Sequence, residues 1–135
     1  MSVKVLKKIS EKEACLRLQE KPKVLTPLSI SKIKKTDFGS DKYYFSIKFK
    51  MANKIYFWVS YSFYKKDDHY ECGSQSKLFN LMKKFIGIDE TNSEGFKFNK
   101  EDIENILLNK KFLATAEFRK MYDSEFPYLE VLVIY

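Results

Sequence analysis

The feature that most limits how this chain can fold is a doubled alternation between Tyr43 and Tyr64. Tyr43, Phe45, Ile47, Phe49 and Met51 share one parity, and Tyr44, Ser46, Lys48 and Lys50 take the other. After Met51-Ala52-Asn53-Lys54 the pattern restarts, with Ile55, Phe57, Val59, Tyr61 and Phe63 on one parity and Tyr56, Trp58, Ser60, Ser62 and Tyr64 on the other. Successive side chains of a strand point to opposite faces, so the stretch reads as two adjacent strands joined by a turn. One face is a continuous apolar surface that has to be buried. The other interleaves Tyr44, Tyr56, Trp58 and Tyr64 with Lys48 and Lys50, where a plain solvent face would present Thr, Ser, Glu and Lys. A tryptophan flanked by lysines on a surface is unfavourable without a partner, which makes this face the candidate for function.

The rest of the composition bounds the class. A chain of 135 residues is one domain's length. With 44% hydrophobic and 32% charged residues it is globular, not disordered. No apolar run approaches the roughly 20 residues of a membrane span, and Met1-Ser2-Val3-Lys4 leads into no apolar signal region. The expected setting is therefore cytoplasmic and reducing, without a membrane partner, and with Cys15 and Cys72 as free thiols. The net charge of +7 is unevenly placed: residues 1–36 carry 10 Lys or Arg against 3 Asp or Glu, while residues 91–135 carry 6 against 8. Such a bias suits a polyanionic partner. A lysine-favouring codon usage is the alternative source of this bias, since Arg17 and Arg119 are the only arginines, so charge alone does not identify the partner.

Taken in order, the chain opens with Lys-rich residues 1–9, an edge strand or an arm. Ser10-Glu11-Lys12-Glu13 has the form of a capping box and predicts a helix over Glu11–Glu20, stopped by Lys21-Pro22-Lys23. Val24–Thr36 reads as a first strand, and the phase slip between Leu28/Ile30 and Ile33 predicts a bulge. Asp37–Asp41 is a turn around Gly39. Beyond the two central strands, Lys65–His69 reads as a charged loop, and Tyr70–Gln75 as a possible strand extension. Leu78, Leu81, Met82, Phe85 and Ile86 give helical spacing, predicting a helix over Ser76–Ile86 that Gly87 ends. Residues 88–98 read as a loop. Asn99 caps a helix over Lys100–Leu108, and Asn109 follows as its left-handed residue. Lys111–Tyr122 and Tyr128–Tyr135 are the fourth and fifth strands, with Tyr122–Pro127 as their turn.

This order predicts a mainly β protein: a five-stranded antiparallel OB-like barrel with a helix between strands three and four and an N-terminal helix. Residues 1–23 would be the arm and short helix, and 24–135 the barrel domain. An open α+β sheet with helices on one side is the alternative. The sequence also resembles the single-stranded-DNA-binding proteins of phages and archaeal viruses, over about Val24 to Tyr135. The resemblance lies in the Lys/Tyr-rich second and third strands, in Ser76-Lys77-Leu78-Phe79 opening a helix, and in Glu101-Asp102-Ile103 through Asn109-Lys110-Lys111-Phe112 leading into strand four. Asn109 stands where glycine is usual. The resemblance implies an OB fold and sequence-tolerant binding of single-stranded DNA in replication or recombination.

Binders of single strands combine a basic groove with aromatic platforms. The candidate residues are Tyr44, Tyr56, Trp58 and Tyr64 for stacking, Lys48 and Lys50 for phosphates, and Lys32, Lys34, Lys35 and Lys42 to extend the track near the first connecting loop. The expected partner is single-stranded DNA or RNA, with a homo-oligomer also open. The competing reading is a protein-interaction module whose aromatic face meets a second copy or another protein, or lies under the N-terminal helix. Catalysis is not expected, nor is a cofactor or metal. His69 is the one histidine, and His69-Tyr70-Glu71-Cys72 supplies too few ligands for a closed zinc site. Gly87 to Gly95 lacks the lysine of a phosphate loop, and Asp67-Asp68 reads as a solvated turn.

Overall fold

The structure, a computed structural model, describes residues 5–36, 41–52, 54–88 and 95–135. The protein is mainly β, with nine strands in one sheet and three helices among the described residues. The arm supplies an edge strand, β1 (Lys7–Lys8), parallel to the second central strand, with Lys8 opposite Tyr56. Helix α1 (Glu11–Glu20) starts where the cap predicts: the Ser10 side chain accepts from the Glu13 N–H at 3.1 Å. Its Ala14, Cys15 and Leu18 are buried.

The expected first strand divides in two, β2 (Lys23–Ile30) and β3 (Lys34–Lys35). The bulge lies between Pro27 and Ser29, and the phase slip before Ile33 is the break between the two strands. Residues 37–40 of the predicted turn, Gly39 included, lie outside the described residues, as does Asn53 of the next one. β4 (Lys42–Met51) and β5 (Ile55–Lys66) then pair without interruption from Lys42–Tyr64 to Met51–Ile55. Phe45, Ile47, Phe49, Met51, Phe57, Val59, Tyr61 and Phe63 are each 1% exposed or less. Burial of one such side chain contributes about 1.5–3 kcal/mol, so this face anchors the core.

Beyond β5 the structure corrects several expectations. Lys65–His69 is a tight hairpin, not a loop: Asp67 (φ 49°) and Asp68 turn the chain, and β6 (His69–Cys72) returns along β5. Helix α2 (Lys77–Met82) is shorter than the apolar spacing predicts, and residues 83–87 continue as turns. The segment read as a loop contains β7 (Phe96–Phe98), which pairs with β6; residues 89–94 of it lie outside the described residues. Gly95 (φ +79°) enters this strand so close to β6 that a Cβ would lie 2.0 Å from the Cys72 carbonyl oxygen, so only glycine fits. Helix α3 (Lys100–Leu107) carries a complete capping box between Asn99 and Asp102, and Asn109 follows at φ 63°. β8 (Phe112–Met121) and β9 (Ser124–Ile134) form a long hairpin whose turn is only Tyr122-Asp123; Pro127 is inside β9, opposite Phe118.

The strands run in the order β7-β6-β5-β4-β2-β8-β9. After the helical segment, β8 returns to lie beside β2, giving the spatial order β8-β2-β4-β5 of a Greek key. The sheet is open: β5 and β9 do not pair with each other among the described residues. Helix α2 spans that seam. Asn80 Nδ2 donates to the Leu129 carbonyl of β9 at 2.6 Å, and the Lys77 ammonium lies 5.6 Å from the ring centroid of Tyr61 on β5. Helix α1 joins in through Glu11–Lys77 at 2.9 Å and through Thr115 Oγ1, which donates to the Leu18 carbonyl at 3.1 Å.

Candidate functional site

The β4–β5 register turns the sequence alternation into a defined surface. Side chains opposite one another on paired strands share a face and lie within contact distance. The outer face therefore consists of cross-strand rows: Lys42 with Tyr64, Tyr44 with Ser62, Ser46 with Ser60, Lys48 with Trp58, and Lys50 with Tyr56. Three of these rows set a lysine beside an aromatic ring. Lys48 Nζ also reaches diagonally to 4.4 Å from the Tyr56 ring centroid, a cation–π distance. Tyr44, Tyr56 and Trp58 are partly exposed and Tyr64 is 51% exposed.

Flanking strands extend the same face. Lys34 of β3 is opposite Tyr44, and Lys8 of β1 is opposite Tyr56, so both lysines border the rings. Lys8 was not among the residues singled out from the sequence; its place becomes visible only when β1 pairs with β5. Lys35 is opposite Tyr43, on the other parity, and Lys32 is exposed in the connection between β2 and β3. The structure thus brings Tyr44, Lys48, Lys50, Tyr56, Trp58, Tyr64, Lys34 and Lys42 onto one surface and turns Lys35 away from it. Helix α1 approaches the inner-parity Tyr61 through Glu11 and Cys15, and the outer rings stay partly exposed.

Next to this face the seam opens into a cleft of about 720 Å3. Lys42, Ser60 and Ser62 belong to both the face and the cleft, whose far side is formed by the start of α2 and the β8–β9 hairpin, with Gln75, Arg119, Lys120, Phe126 and Tyr128. Between the β1 pairing at Ile55–Tyr56 and the β6 pairing at Tyr64–Lys66, the second edge of β5 pairs with no strand among the described residues. The sequence signal for this side was weak, because its residues come from four separate segments. No family model, curated protein or solved structure matches this chain.

Elsewhere the two thiols are buried and separate from the surface groups that can titrate. Cys15 and Cys72 are buried, and burial pushes each thiol up to about 12, which leaves them protonated and poorly nucleophilic. In β6, His69 and Glu71 share one face while Cys72 is buried on the other, so strand alternation separates the ligands that the sequence sets side by side. His69 instead lies between two carboxylates that accept from its ring, 3.0 Å from Glu71 and 3.3 Å from Asp68. Among the described residues, no group of three His, Cys, Asp or Glu side chains is placed to hold a metal ion. Among the described residues, no helix is long and apolar enough to cross a membrane.

Proposed function

We propose that this protein binds single-stranded nucleic acid, DNA in the first instance, in a sequence-tolerant way on the outer face of β4 and β5, in the service of replication or recombination. The observation that carries the reading is the cross-strand register, which sets Lys42, Lys48 and Lys50 each opposite an aromatic ring. Rings take bases by stacking, which is indifferent to sequence because every base has a π-face, and the adjacent ammonium groups neutralise the phosphates between them. Lys8 and Lys34 widen the basic border.

The same reading covers the architecture. Strands β2, β4, β5, β8 and β9 correspond in order to the five strands of an OB barrel, with α2 and α3 between the third and fourth. An OB fold is a partly open Greek-key barrel whose second and third strands form the usual oligonucleotide face. The seam between β5 and β9 is then its open side.

Titration of Trp58 fluorescence with oligo-dT tests the function. The expected result is quenching on binding, with affinity falling steeply with salt. Trp58→Ala should weaken binding by about 1–3 kcal/mol while leaving the fold intact. Unchanged fluorescence together with no mobility shift at low salt would overturn the proposal, and a dimer by light scattering with Trp58 already shielded would transfer the aromatic face to a protein interface.

A further inference from the structure

We infer that the cleft beside Ser60 and Ser62 receives one nucleobase turned out of the bound strand, and that its donor-rich lining favours guanine. The inference rests on the nucleic-acid reading above and adds one point of base preference to an otherwise sequence-tolerant face.

The first observation is that the face is not uniform. Rings stand at both ends, Tyr44 and Tyr64 at one and Trp58 and Tyr56 at the other. Between them lies a low saddle, where the hydroxyls of Ser46 and Ser60 hydrogen-bond to each other at 2.9 Å. Tyr44 and Lys48 are four residues apart on β4, about 13 Å at the rise of a strand. A nucleotide crossing that distance has no ring beneath it.

The second observation is where the cleft opens. Ser60 and Ser62 line it, and Tyr56 and Trp58 do not. The opening therefore takes in the Ser60 side of the saddle, where the strand lacks a platform, and runs from there toward Ser62 and Lys42. Its volume of about 720 Å3 falls in the range of small-molecule pockets, which combine apolar or aromatic walls with a few convergent polar groups.

The third is that the far wall is built in advance. Asn80, 6% exposed, is the one buried polar residue among those described. Its Nδ2 donates to the Leu129 carbonyl at 2.6 Å and its Oδ1 accepts from Arg119 at 3.1 Å. Arg119 is held further by Glu117, and its guanidinium lies 4.2 Å from the Tyr128 ring centroid. The Tyr128 hydroxyl in turn donates to the Gln75 carbonyl at 3.3 Å. A buried amide and a hydroxyl thus hold a guanidinium against a ring, a pre-ordered surface of the kind on which unstacked bases lie. Arg119, Lys42 and Gln75, which carry N–H donors, line the cleft, and guanine offers two adjacent acceptors, O6 and N7, on one edge.

The test is a set of Trp58 titrations with an oligo-dT of about a dozen nucleotides and with the same oligomer carrying one central dG, dA or dC. The dG oligomer should bind about tenfold more tightly than the others. Gln75→Ala and Arg119→Met should each bring it back toward the plain oligo-dT value, with oligo-dT itself affected far less. Gln75 is exposed, so its variant keeps the test open should Arg119→Met fail to fold. Equal affinity for all four oligomers, or a dG preference that survives both substitutions, overturns the base pocket and leaves the stacking face standing. Failure to bind any oligomer overturns both.

Discussion

Tyr61 is 1% exposed, and its hydroxyl has no hydrogen-bond partner among the described residues. Burial, with Glu11 and Cys15 nearby, raises its pKa well above the usual phenol value, so it stays a neutral phenol. An unsatisfied buried polar group costs about 1–3 kcal/mol, so Tyr61→Phe should stabilise the fold by about 1 kcal/mol, read as a higher urea midpoint at unchanged slope. A lower midpoint would mean that the hydroxyl is satisfied after all. The sequence placed Tyr61 on the inner face correctly; alternation reports direction, but the lack of a partner depends on α1 and α2, which converge from distant segments. His69 gives a second expectation at this scale. Hydrogen bonds with Glu71 and then Asp68 raise its pKa above the ordinary 6.5. A group whose folded pKa is raised favours folding fully below its unfolded pKa, and that contribution disappears as pH rises through the folded value. Stability should therefore fall above pH 6.5 by an increment that His69→Ala lacks, and that salt reduces because the side chains are at least partly exposed. Parallel curves for the two proteins would show that the histidine contributes nothing.

Among the elements, those whose signals are local were legible and those set by neighbours were not. The Ser10 cap and the bounds of α1 follow from side chains within one turn. The same holds for Asn99, whose amide oxygen accepts from the Asp102 N–H at 3.0 Å while Asp102 accepts from the Asn99 N–H at 3.0 Å. Asn99→Ala should cost about 1 kcal/mol of stability, measured by chemical denaturation, with Asn99→Ser close to wild type; an unaffected Ala variant would show that α3 is held by packing alone. Helix α2 was overestimated because Phe85 and Ile86 carry on its apolar spacing. They do pack against the core, with Phe85 5.4 Å from Phe112 between ring centroids, but from turns following the helix. Spacing reports burial, and turns can bury the same residues. The β5–β6 hairpin was missed because its turn is Asp-Asp, without the glycine that usually marks a two-residue connection. The bulge at Leu28 was misplaced because its position is fixed by pairing with β4, which a single strand's sequence does not contain.

At the scale of the whole molecule, the alternation at Tyr43–Tyr64 made the mainly β class and the two-sided central hairpin readable, since both follow from parity. The seam between β5 and β9 was not readable, because it depends on which strand ends meet after a long helical excursion. Register places Lys8, Lys34, Lys42, Lys48 and Lys50 along one surface, with Lys35 on the opposite parity. Each phosphate neutralised on a single strand contributes about −0.7 to the slope of log affinity against log salt. Contact by all five lysines gives a slope of about −3.5, and Lys48→Ala with Lys50→Ala together should reduce it to about −2. Lys35→Ala should leave the slope unchanged, since its side chain belongs to the other side of the sheet. Oligo-dT titrations at several salt concentrations measure all three proteins. A slope that responds to Lys35 as strongly as to Lys48 and Lys50 would mean that the bound strand does not follow the β4–β5 face, and a slope near zero would remove phosphate contact from the reading altogether.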